Sequence, residues 1–129
     1  MKTSKMQQTL LAVDDEDAVI CAIHETLRHC GYRLLKTTDP YHALEMVKTQ
    51  APDLLIIDLF MPWMDGATLL KECRRIHARL PVVLTTGSAS PQELRRWRTR
   101  GELIVAKPWL HEELTGAVEK ALERARSAN

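Results

Sequence analysis

The sequence predicts an α/β domain in which five parallel strands alternate with five helices. Three observations carry this expectation. Short apolar runs such as Leu54-Leu55-Ile56-Ile57 are too short for helices and apolar on both faces, as strands buried inside a parallel sheet are. Between them lie longer segments whose apolar residues recur at helical spacing. Several of the short runs also end in a charged or polar side chain, as at the carboxyl edge where open α/β sheets place their ligand crevice.

Thr9-Leu10-Leu11-Ala12-Val13 reads as the first strand and ends in Asp14-Asp15-Glu16-Asp17. Val19, Ile20, Ile23 and Leu27 then mark a helix closed by Gly31. Residues 32–36 read as the second strand. Asp39-Pro40 opens the second helix, with Asp39 as N-cap, Pro40 at the first helical position and a stripe of Ala43, Leu44 and Val47. Pro52 follows its end. The central strand runs into Asp58, and Pro62 and Asp65-Gly66 turn the chain. Leu69, Leu70, Cys73 and Ile76 predict a third helix with Lys71, Glu72, Arg74 and Arg75 facing water. Residues 81–86 form the fourth strand, ending in Thr85-Thr86-Gly87-Ser88. Ser90-Pro91-Gln92-Glu93 has the form of a capping box and starts the fourth helix, which Gly101 ends. Residues 103–106 are the last strand, closed by Lys107-Pro108, and residues 110–126 a final amphipathic helix. Such alternation implies right-handed βαβ crossovers with helices on both faces. Five strands without a long insertion favour the flavodoxin-like order 2-1-3-4-5. The expected layout is a tail over 1–8, one domain over 9–126 and a tail over 127–129.

At 129 residues the chain suits one domain with a sizeable core. Its apolar fraction of 45% and charged fraction of 27% are those of an ordinary globular protein. A net charge of +1 argues against whole-surface attraction to nucleic acid or to anionic membrane. No apolar run approaches the roughly 20 residues that span a bilayer, and the first eight residues lack the apolar stretch of a secretory signal. Cys21, Cys30 and Cys73 are odd in number and lack metal-ligand spacing, which suits reduced packing residues of a cytoplasmic protein. None of the five histidines pairs with a cysteine at zinc-site spacing.

The chemistry follows from the strand ends. Asp14 and Asp15, Asp58, Thr86 and Lys107 terminate four strands, and a parallel sheet brings such ends to one edge. Three crowded carboxylates repel one another and raise each other's pKa. A hard divalent cation removes that penalty, and oxygen-only ligands suit Mg²⁺, with Mn²⁺ as a substitute. Lys107 adds an ammonium and Thr86 a hydroxyl donor. Together these groups suit a phosphoryl group developing on a carboxylate. Taken singly, Asp14 and Asp15 could cap the following helix and Thr86 could satisfy a turn, but the whole constellation argues against both.

Val13-Asp14-Asp15-Glu16, the run from Asp58 through Leu59-Phe60-Met61-Pro62-Trp63-Met64-Asp65-Gly66, Thr86-Gly87 and Lys107-Pro108 together resemble the receiver domain of bacterial two-component response regulators, over nearly the whole chain. The resemblance implies that Asp58 accepts a phosphoryl group from a sensor histidine kinase or a histidine phosphotransfer protein. It implies Mg²⁺ on Asp15, Asp58 and the Phe60 backbone carbonyl, with Asp14 acting largely through water. Thr86 and Lys107 would bind phosphoryl oxygens, and the Lys107-Pro108 bond would be cis. Such a domain is a switch with self-catalysed phosphotransfer and slow autodephosphorylation, not a turnover enzyme. Its fourth helix, fifth strand and fifth helix commonly form the face for a partner, an output domain or a second copy.

Two features depart from that family. Ile104 stands where an aromatic is usual, so the ring movement that couples phosphorylation to the surface is lost, and the stretch from Gly101 to Lys107 is one residue short. Leu94-Arg95-Arg96-Trp97-Arg98-Thr99-Arg100 reads either as a solvated face with Trp97 beside Leu94, or as a docking surface rich in arginine and tryptophan. One short basic helix does not make a nucleic-acid interface. Trp63 and Trp109 flank the strand ends, as packing or as a rim. Competing readings fare worse. A phosphatase of the haloacid-dehalogenase type wants an acid where Phe60 stands, and a nucleotide-binding loop wants glycines where Asp14-Asp15-Glu16-Asp17 stand. An interaction module indifferent to phosphorylation remains open because of Ile104.

Overall fold

The computed structural model describes residues 7–88 and 90–127. The expectations for residues 1–6 and 128–129, and Ala89 in the loop after the fourth strand, lie outside the described residues. The elements are β1 Thr9–Val13, α1 Asp17–Leu27, β2 Arg33–Thr37, α2 Pro40–Gln50, β3 Leu54–Asp58, α3 Gly66–Ile76, β4 Val82–Thr86, α4 Pro91–Thr99, β5 Leu103–Ala106 and α5 His111–Ser127. All strand pairs are parallel, in the order β2-β1-β3-β4-β5. The predicted class and order are those observed.

Strand alternation divides the core into two. Leu11, Val13, Leu55, Ile57, Val82, Leu84 and Ile104 pack under α2 and α3, with Leu94 and Trp97 of α4 leaning on the same cluster. Leu10, Ala12, Leu54, Ile56, Val83 and Val105 pack under α1 and α5. β3 is buried along its whole length, and Leu54, Leu55, Ile56 and Ile57 are each 0% exposed. Burying a side chain of that size is worth about 2 kcal/mol. The four fix β3 as the centre of the sheet, and therefore fix where Asp58 emerges.

The helix starts are chemically written. Asp39 accepts from the Tyr41 N–H (2.9 Å), Asp65 from the Thr68 N–H (2.8 Å) and Ser90 Oγ from the Glu93 N–H (3.2 Å). Gly31 and Gly101, at φ +86° and +87°, make the left-handed turns after α1 and α4. Helix α4 buries no residue, whereas α3 buries Gly66, Leu69, Leu70 and Cys73. Helix α4 contributes no fully buried side chain to the core, only the partly buried Leu94 and Trp97.

Several details differ from expectation. β2 begins at Arg33, and Tyr32 instead packs against the α1–α5 core. α5 begins at His111; Leu110 is exposed, and its N–H donates to Glu113 Oε1 at 2.7 Å. The α3 stripe stops at Cys73, because Ile76 lies in the last turn and is exposed. Arg74 is only partly solvated: it grips Glu102, just before β5, through two hydrogen bonds of 2.6 and 3.1 Å. Of the cysteines only Cys73 is a packing residue, since Cys21 and Cys30 are exposed. Burial pushes the Cys73 thiol up to about 11. No helix among the described residues is long and apolar enough to cross a membrane.

Candidate functional site

The β1 tip delivers Asp14 and Asp15, the β3 tip Asp58 and the chain beyond β5 Lys107. The pairing of Val13 with Ile57 sets the first two tips level. One carboxylate oxygen from each of Asp14, Asp15 and Asp58 lies within 4.8 Å of the others. Lys107 Nζ bridges two of them, 2.8 Å from Asp14 Oδ2 and 3.2 Å from Asp58 Oδ1. Asp14 is 0% exposed and Asp58 4%, while Asp15 is half-buried and forms the rim. Asp14 Oδ1 also accepts from the Glu16 N–H at 2.9 Å, which ties the carboxylate to the turn before α1. The caps read from sequence separate here: Asp14 serves this turn and Lys107 together, and Glu16 takes the N-cap position of α1 without a side-chain bond.

The electrostatics follow from that crowding. Burial, then the negative charge of Asp14, push the Asp58 carboxyl above its ordinary value of 3.8, against the pull of Lys107 and of a hydrogen bond from the Phe60 backbone. Burial alone would lower the Lys107 ammonium. Its hydrogen bond to Asp14 and the charges of Asp14 and Asp58 outweigh that and raise it. The site is thus an acidic pocket with one cation already clamped across it. The donor set is oxygen only and carries more negative charge than Lys107 neutralises, which suits a hard divalent ion.

The neighbouring positions are equally determined. Gly66 sits against the β3 tip, and a Cβ there would run into the Asp58 carbonyl and the Leu59 Cα. Its N–H donates to the Leu59 carbonyl (2.8 Å), closing the loop that carries Phe60. Thr86 is fully buried; its hydroxyl accepts from the Ser88 N–H (3.4 Å) and its carbonyl from the Lys107 N–H (2.7 Å). Alternation along β4 sends the Thr86 side chain toward the α3–α4 face, whereas Asp14, Asp58 and Lys107 share the α1–α5 face. The Lys107-Pro108 bond is cis. Trp109 turns inward and its indole N–H donates to Thr26 Oγ1 of α1 at 3.1 Å, so it is packing. Trp63 is 66% exposed beside the site.

The sequence model of the response regulator receiver domain matches residues 10–119. The chain belongs to that family. As a receiver domain it is a signalling module of two-component response regulators, a switch rather than a typical enzyme. Among its relatives, sporulation initiation phosphotransferase F of Bacillus subtilis is 29% identical over 118 residues, covering 91% of this chain and 95% of that protein. Response regulator MprA of Mycobacterium leprae is 32% identical, covering 91% of this receiver domain and 52% of its own length. The chain thus spans about half of some curated relatives and nearly all of others. Among solved structures, NtrX from Brucella abortus superposes with a TM-score of 0.86 at 28% identity, over 95% of this chain and 29% of that one. The Vibrio cholerae chemotaxis protein CheY4 superposes at 0.80 and 25% identity, over 90% and 99%.

The receiver site held one residue the motifs did not single out. Thr85 lies directly opposite Asp58 in the β3–β4 register, is 0% exposed, and its hydroxyl has no hydrogen-bond partner. The period-two alternation of β4 was the available signal: it puts Thr85, not Thr86, on the face of Asp58.

Proposed function

We propose that this receiver domain accepts a phosphoryl group on Asp58 from a histidine kinase or histidine phosphotransfer protein. The observation that carries the reading is the three-carboxylate pocket bridged by Lys107. An oxygen of Asp58 attacks the phosphorus of a phosphohistidine, the P–N bond breaks, and the imidazole leaves with its electron pair. Asp58 is held for this by the Phe60 backbone N–H and by Lys107. Mg²⁺, with Mn²⁺ as a substitute, would be held by Asp15, Asp58 and the Phe60 carbonyl, with Asp14 behind it. When bound, it supplies positive charge for the equatorial phosphoryl oxygens. Lys107 keeps its charge throughout, and its ammonium follows the negative charge from the carboxylate to the phosphoryl oxygens. Thr86 donates its hydroxyl to one of these oxygens after leaving the Ser88 amide.

That movement of Thr86 gives the switch its route. The loop after β4 leads directly into α4, the helix with no buried residue, and Ile104 and Trp97 share one cluster beneath it. The α4–β5–α5 face therefore carries the output, to an attached domain, a partner or a second copy, from a cytoplasmic domain spanning about residues 9–126. The test is intact-mass measurement after incubation with acetyl phosphate and Mg²⁺. Wild type gains one phosphoryl group and Asp58→Asn gains none. Absence of any adduct on wild type, with a phosphodonor shown to be active, overturns the reading.

A further inference from the structure

Four side chains cross the carboxyl tip of the sheet on one face. Ala12 of β1, Ile56 of β3, Val83 of β4 and Val105 of β5 all belong to the core under α1 and α5. Alternation from these residues puts Asp14, Asp58, Thr85 and Lys107 on that same face. Thr85 pairs with Asp58 on one side and with Val105 on the other. Lys107 starts two residues beyond Val105, yet its ammonium reaches Asp58 and Asp14, on the far side of β4. Its side chain therefore bridges over the tip of β4, and its Cδ lies 3.8 Å from where a Cβ of Gly87 would stand. Thr85 is the floor beneath that bridge.

At this floor the chain carries a hydroxyl where an apolar side chain would pack as well. Thr85 is 0% exposed, and among the described residues its Oγ1 is the one buried side-chain nitrogen or oxygen without a hydrogen-bond partner. A buried hydroxyl without a partner destabilises the fold relative to valine, which has the same shape. Its register neighbour on β3 is a carboxylate: Asp58 is buried beside Asp14, with Lys107 and the Phe60 amide as its partners, and a carboxylate has lone pairs enough to accept a further donor. In-register residues of adjacent strands stand about 4.8 Å apart, and the staggered χ1 wells let a threonine hydroxyl swing across that gap.

We propose that Thr85 is a positioning residue for the phosphoacceptor, its hydroxyl donating to the Asp58 carboxylate so that one oxygen is tethered and the other is presented to the incoming phosphorus. The inference rests on the phosphoacceptor reading for its consequence, although the hydrogen bond itself does not. It separates the two threonines of β4: Thr85 sets the carboxylate before transfer, and Thr86, on the other face, responds after it.

The experiment compares wild type, Thr85→Val and Thr85→Ser by three measurements. The first is the initial rate of phosphorylation by acetyl phosphate with Mg²⁺. The second is the Asp58 carboxyl ¹³C resonance at neutral pH in metal-free protein, and the third is the melting temperature. A hydrogen bond to a charged group predicts a rate about tenfold lower in Thr85→Val, a displaced Asp58 resonance, and recovery of both in Thr85→Ser. If Thr85→Val melts no lower than wild type and keeps both its rate and its Asp58 resonance, the hydroxyl is only packed and the proposal is overturned. If wild type accepts no phosphoryl group, the function proposed above fails, and the resonance still decides the Thr85 bond. Should Thr85→Val not fold, wild type decides. A Thr85 hydroxyl proton protected from exchange, with a nuclear Overhauser contact to the Asp58 methylene, supports the bond; a freely exchanging one refutes it.

Discussion

Asp58→Asn should make the metal-free domain more stable at neutral pH, although it removes one partner of Lys107. The Asp58 and Asp14 oxygens are at most 4.8 Å apart, a repulsion of at least about 3.5 kcal/mol at an effective dielectric near 20. The Lys107 contact at 3.2 Å returns about 5 kcal/mol on the same scale. The Coulombic remainder favours the charge only slightly, whereas desolvating a carboxylate costs several kcal/mol. Burial accordingly raises the Asp58 carboxyl above 3.8. A carboxyl with a raised folded pKa is protonated more readily when folded, so stability falls as pH rises from the unfolded value through the folded one. Above that window wild type bears the full penalty, and asparagine bears none. The expected gain is about 1–2 kcal/mol near pH 7.5, a rise in melting temperature of roughly 3–6 °C, shrinking to nothing as pH falls toward 4. Thermal melts of both proteins in EDTA across pH 4 to 8 measure it. A gain independent of pH, or a loss of stability at pH 7.5, would refute the assignment of Asp58 as the strained carboxylate.

Mg²⁺ should raise the wild-type melting temperature, by about 2.7 kcal/mol of stabilisation at a hundredfold excess over its dissociation constant, and should do so much less in Asp15→Asn; equal shifts in the two would place the ion elsewhere. Gly66→Ala forces a Cβ into the Asp58 carbonyl, so it should cost at least about 2 kcal/mol in urea titrations and slow phosphorylation by acetyl phosphate; a neutral substitution would mean that the β3–α3 loop yields freely. With its thiol at about 11 and fully buried, Cys73 should resist a thiol reagent in native protein at pH 8, while exposed Cys21 and Cys30 react. Mass spectrometry should therefore count two labels, and a third on unfolding. Arg74→Ala and Glu102→Ala should show a coupling of about 1 kcal/mol in a double-mutant cycle, since the pair is bidentate and half-covered; additive losses would reduce it to a surface contact.

The fold was legible because every level of the sequence agreed. Apolar runs, proline and glycine punctuation, and the caps at Asp39 and Ser90 all pointed to one alternation, and five strands without a long insertion favoured the strand order that is observed. What eluded the sequence was set by position along an element rather than by residue type. Ile76 and Cys73 look alike in a helical stripe, but Ile76 falls in the last turn, past the edge of the sheet, and is left in water. Arg74 has the composition of a solvated residue, and only the closeness of the α3 end to the start of β5, 28 residues away in sequence, gives it Glu102.

The site was legible for the opposite reason: its residues are chemically too costly to be where they are without a purpose. A buried carboxylate announces itself in any sequence, and two of them at neighbouring strand tips with a lysine at a third leave few alternatives. Threonine does not announce itself, because its hydroxyl is cheap at a strand end and is usually read as β-branched packing. Thr85 and Thr86 are adjacent and equally buried, yet the pleat sends one to the face of Asp58 and the other toward the α3–α4 face. On the reading proposed above, one strand end reaches both the acceptor and the output, and the division of labour inferred for its two hydroxyls follows from a side-chain period of two.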